Sequence, residues 1–75
     1  MDYETLNEQL LAAHAENDKT KLVALYRLAG EMMISHNDIN AASFYLTHAY
    51  IFALDVGDKA APEIHKMLVG FGREE

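Results

Sequence analysis

The chain has 75 residues, no cysteine, 12 acidic against 6 basic side chains, and 51% apolar residues. At this length one domain, residues 1–75, is the ceiling, and without cysteine there is no disulfide, no thiolate zinc site and no thiol nucleophile. The net charge of −6 opposes nucleic acid and anionic membranes, whose affinity comes largely from lysine and arginine, while the apolar content is too high for a disordered acidic tail.

The first helix is expected from about Tyr3 to Ala15. Tyr3, Leu6, Leu10 and Ala13, with Leu11 beside them, recur at the spacing of one helical face. Asp2 is placed to cap it, with Thr5-x-x-Glu8 as an alternative capping box one turn later. Glu16-Asn17-Asp18 breaks the pattern, and Asp18 can cap a second helix. That helix runs to about Ser35. Its apolar arc, from Leu22 and Val23 through Tyr26 to Met32, Met33 and Ile34, is wide enough to require neighbours on two sides. Arg27 and Glu31 stand four apart on its polar side and suit a weak surface pair.

His36-Asn37-Asp38 closes the second helix and caps a third, from Ile39 to about Val56. No charged residue occurs between Asp38 and Asp55. Ile39, Ala42, Leu46, Ala49, Tyr50 and Ala53 form one stripe, and Phe44, Tyr45, Ile51, Phe52 and Leu54 carry the apolar surface around most of the circumference. A helix apolar nearly all round is expected to be buried nearly all round. Gly57-Asp58 is a stop followed by a start, Pro62 fits the first turn of a fourth helix, and Ile64, Met67, Leu68 and Phe71 form its inward stripe. Gly70 and Gly72 weaken the helix end, which is expected to fray into Arg73-Glu74-Glu75. No segment alternates with period two, and the connections are short. The sequence therefore predicts an all-α fold of about four antiparallel helices. The acidic N-terminus lacks the pattern of a signal peptide, and the charge-free stretch falls short of the roughly 20 apolar residues of a bilayer span. The expectation is a cytoplasmic protein.

The segment from Tyr26 to Asp58, YRLAGEMMISHNDINAASFYLTHAYIFALDVGD, resembles a tetratricopeptide repeat, whose pattern is W-x2-L-G-x2-Y, then A-x3-F and P. Tyr26 stands at the tryptophan, Ala29 at the leucine, Gly30 at the glycine and Met33 at the tyrosine. Ala42 and Ala49 take the small positions, Leu46 the aromatic one, and Leu54 the usual proline. The resemblance implies a helix-turn-helix unit packed through Tyr26, Gly30, Met33, Ala42, Leu46 and Ala49, with the first and fourth helices as flanking caps. It also implies an incomplete stack, since roughly three or more repeats are normally needed for stability.

His14, His36, His48 and His65 show no metal-ligand spacing, and the histidines read as exposed or half-buried side chains. His48, on the charge-free helix, reads as a hydrogen-bonded packing residue. Ser35 and Ser43 lack a nucleophile-elbow context, and the glycines are too scattered to cradle a phosphate. No catalytic, cofactor or metal site is therefore assigned, and an enzyme is not expected. Aromatic side chains pointing several ways from the third helix suit a contact surface, with Phe44, Tyr45, His48, Ile51 and Phe52 as interface candidates. The expected function is a protein–protein interaction module, a small adaptor or scaffold that self-associates as a two-fold homodimer. The alternative is a regulator responsive to a small ligand or a metal, with a pocket between helices two and three anchored by His36 or His48.

Overall fold

The computed structural model describes residues 2–72. Four helices follow one another: α1 (Tyr3–Glu16), α2 (Lys19–Ser35), α3 (Ile39–Val56) and α4 (Ala60–Gly70). Each packs on the next as an antiparallel neighbour, and there is no strand among the described residues. No described helix is long and apolar enough to cross a membrane. The expected fraying at Arg73-Glu74-Glu75 lies outside the described residues.

The connections repeat one device. Asn17, Asn37 and Gly57 each adopt a left-handed conformation, which asparagine and glycine tolerate best. The aspartate after each donates its amide to a carbonyl five residues back: Asp18 to Ala13 at 3.0 Å, Asp38 to Met33 at 2.9 Å, Asp58 to Ala53 at 2.8 Å. Asp18 and Asp38 then cap the following helix, accepting from the amides of Lys21 at 3.1 Å and Ala41 at 3.0 Å. Asp2 does the same for Thr5 at 2.7 Å, so the alternative capping box at Thr5 is not used. The fourth helix departs from expectation. Asp58 accepts from Ala60, only two residues on, at 2.8 Å, and Lys59 occupies the cap position with no side-chain cap bond. Pro62, three residues into α4, fixes the backbone of its first turn.

Two apolar clusters share α2. Leu6, Leu10 and Ala13 of α1 meet Leu22, Leu25 and Ala29, while Val23 joins Leu46, Ala49 and Ala53 of α3 and Ala61, Ile64 and Leu68 of α4. The wide arc of α2 thus has neighbours on two sides, as its sequence requires. At Gly30 helix α2 lies tight against α3: a Cβ built there would lie 2.6 Å from Leu46 Cγ and 3.4 Å from the Ala42 carbonyl. Gly30, Ala42, Leu46 and Ala49 are all buried, and Tyr26 and Met33 are half-buried beside them.

Two expectations are corrected. Tyr3 and Leu11 are exposed rather than packed with Leu6, Leu10 and Ala13, and the Tyr3 hydroxyl reaches across to Tyr45 of α3. Arg27 reaches across to Glu63 on α4, Nη1 donating to Oε2 at 3.0 Å, instead of pairing with Glu31. Helix α3, by contrast, carries the apolar excess that its sequence shows: Phe44, Ile51 and Leu54 are 56–58% exposed.

Candidate functional site

Two surfaces converge on Phe44: an aromatic pocket on one side and the uncovered edge of α3 on the other. The pocket lies over α2, between α1 and α3, with a volume of about 300 Å³. Helix α1 supplies one wall from Tyr3, Leu6, Asn7, Leu10, Leu11 and His14, residues three and four apart that share a helical face. Tyr26 and Ala29 of α2 form the floor, and Phe44, Tyr45 and His48 of α3 form the opposite wall. None of these side chains is a carboxylate, an ammonium or a guanidinium.

Tyr26 organises the rings. It lies nearly parallel to Phe52 (centroids 5.9 Å apart, 15° between planes) and to His48 (5.2 Å, 29°), and meets His14 edge-on at 5.8 Å. Its hydroxyl shares a 2.8 Å hydrogen bond with His14 Nε2. Across the mouth, the Tyr3 and Tyr45 hydroxyls bond to each other at 2.7 Å. That bond, then partial burial, pushes the Tyr45 phenol up to about 12. Burial also raises Tyr26. Both phenols therefore stay neutral and hydrogen-bonding at neutral pH.

His48 is held differently. Its Nδ1 lies 2.9 Å from the Phe44 carbonyl one turn back. A carbonyl oxygen only accepts, so Nδ1 carries the proton and Nε2 of the neutral ring is left as an acceptor. His48 is thus a hydrogen-bonded packing residue, as its place on a charge-free helix implies. Thr47 makes the parallel bond, Oγ1 donating to the Ser43 carbonyl at 2.7 Å.

The interface candidates separate in space. Phe44, Tyr45 and His48 line the pocket, Phe52 is half-buried against Tyr26, and Ile51 lies on the open edge. That edge reads Asn40, Phe44, Thr47, Ile51, Leu54, alternating steps of four and three that keep one line along a helix. Leu54 belongs to it although the interface set omits it. Tyr3, Asn7, Leu11 and His14 also line the pocket, and the sequence does not mark them as a site. Their spacing on one face of α1 was the available signal, but nothing local says that this face looks onto the rings of α3.

His36 sits exposed at the C-terminal cap of α2 and is not among the pocket walls. His65 rests against Tyr50, ring centroids 5.3 Å apart. Among the described residues no three histidine or carboxylate side chains stand close enough to hold a metal ion. The sequence matches no protein family, and neither curated proteins nor solved structures match it.

Proposed function

We propose that this protein is a small helical protein–protein interaction module of the tetratricopeptide type, a cytoplasmic adaptor or scaffold that self-associates through the open edge of α3. The observation that carries the proposal is the exposure of Phe44, Ile51 and Leu54, each between 56% and 58%, along one line of a helix with no charge from Ile39 to Leu54. Steps of four and three are the spacing at which one helix seats side chains between those of another. A two-fold axis lets one self-complementary edge serve both copies. The close approach at Gly30 supports the repeat-like pairing of α2 and α3, since that is where the repeat pattern requires a small residue.

Magnitudes set the strength. Full burial of such a side chain contributes about 1.5–3 kcal/mol, and these are already half covered, so each adds about 1 kcal/mol. Six of them in a symmetric pair contribute about 6 kcal/mol against an association cost of at least about 4 kcal/mol, so alone they hold a dimer only at tens of millimolar, and a Kd between about 10 μM and 1 mM requires about a further 2–5 kcal/mol from contacts flanking the edge. A dilution series followed by amide NMR maps the surface. Shifts concentrated on Phe44, Thr47, Ile51 and Leu54 support the proposal; shifts confined to another face, or none, refute it.

A further inference from the structure

We infer that the pocket between α1 and α3 binds a small neutral aromatic molecule carrying one hydrogen-bond donor, of the indole or phenol class, with His48 Nε2 as the acceptor that selects it. The size fits. A dry cavity of about 150 Å³ takes benzene, so a volume of about 300 Å³ accommodates a bicyclic ring and lies at the lower end of ligand pockets. The walls fit as well. Leu6, Leu10 and Ala29 with the rings of Tyr26, Phe44 and Tyr45 offer flat apolar contact. With no charged side chain among the walls, an ion entering the pocket would shed hydration with no counter-charge to replace it. The ligand is therefore neutral.

The hydrogen bonds already made within the walls narrow the class further. Tyr3 bonds to Tyr45 and His14 to Tyr26, and each pair uses one proton and keeps a second donor, while Asn7 adds an amide to the lining. His48 differs, because the bond from Nδ1 to the Phe44 carbonyl leaves Nε2 able to accept and unable to donate. An aromatic N–H or O–H complements it, whereas a hydrocarbon of the same shape leaves it without a partner, at a cost. This site does not depend on self-association, although Phe44 borders both surfaces.

The test is a titration at pH 8 with indole and with indene, its isostere lacking the N–H, followed by NMR on the Ile51→Glu chain so that edge association plays no part. The expected result is saturable binding of both, with indole about three- to tenfold tighter, and a shift of the His48 Nε2 resonance with indole alone. His48→Phe keeps a ring beside Tyr26 and removes the acceptor; it is expected to equalise the two ligands while indene still binds. Leu11→Trp, at an exposed position on the mouth, is expected to weaken both. Absence of saturable binding, equal binding of the two to the unmodified pocket, or a silent His48 Nε2 resonance on adding indole overturns the inference. The last reading stands even where His48→Phe fails to fold.

Discussion

A Cβ on Gly30 would lie 2.6 Å from Leu46 Cγ and 2.7 Å from Leu46 Cδ2, so the packing of α2 on α3 at this point depends on a missing methyl group. Leu46 is completely buried and cannot swing into solvent. Gly30→Ala would gain about 1 kcal/mol of helix propensity against about 1–3 kcal/mol of overpacking. The expected net loss is about 1 kcal/mol, lowering Tm by roughly 4–8 °C in a domain of this size. Leu46→Ala alone should cost about 2–5 kcal/mol. In that background Gly30→Ala should stabilise, because the clash is gone. Urea denaturation of the four proteins in this cycle checks both signs.

Ser43 is expected to behave in the opposite sense. It is buried, and its Oγ has no hydrogen-bond partner among the described residues. An unpaired buried hydroxyl is costly, and alanine is the better helix former. Ser43→Ala should therefore add about 1 kcal/mol to the unfolding free energy; a loss of that size would mean the hydroxyl is satisfied in solution.

The phenol pair at the mouth of the pocket gives an alkaline signature. Tyr45 is held at about 12, above its ordinary value of 10.0, first by its hydrogen bond with Tyr3 and then by burial. A folded-state pKa raised in this way contributes stability that is complete below pH about 10 and is lost as pH rises through about 12. Tyrosinate absorbance should show Tyr45 titrating last, with Tyr26 also raised by burial, and Tyr3→Phe should move Tyr45 down. A Tyr45 that ionises with the exposed phenols would contradict the hydrogen bond.

The two ion pairs tie distant elements yet should contribute little. Lys19 pairs with Asp55, and Arg27 with Glu63, with side chains between 33% and 65% exposed. Exposed pairs typically contribute less than about 1 kcal/mol. Asp55→Asn and Glu63→Gln should each change the unfolding free energy by no more than that, and by less in high salt, as measured by denaturation at two ionic strengths.

What could be read from the sequence was local. Asp2, Asp18 and Asp38 as caps, Asn37 and Gly57 as helix ends, and Gly30 as a close approach each rest on neighbouring residues and backbone chemistry. Local spacing misleads where a residue's surroundings are set by distant chain. Tyr3 and Leu11 fit the apolar face of α1 by spacing, but they line the pocket facing α3 rather than the core against α2. Arg27 suits Glu31 by spacing, yet α4 brings Glu63 within reach. The pocket is of the same kind: His14 and His48 are far apart in sequence, and only the packing of α1 and α3 on α2 brings both onto Tyr26. Spacing on α3 indicated that its apolar surface exceeds what one chain covers, but not that Ile51 and Phe52, adjacent in sequence, face open solvent and Tyr26 respectively.

Self-association through the edge of α3 is tested most directly by sedimentation equilibrium of the unmodified chain and of Ile51→Glu, from about 10 μM to 1 mM, the range in which a weak dimer assembles. The account predicts that the weight-average mass of the unmodified chain rises towards that of a dimer, while Ile51→Glu stays monomeric and equally stable, since Ile51 is 56% exposed in the single chain. A monomer at every concentration, or a dimer that Ile51→Glu leaves intact, would contradict it.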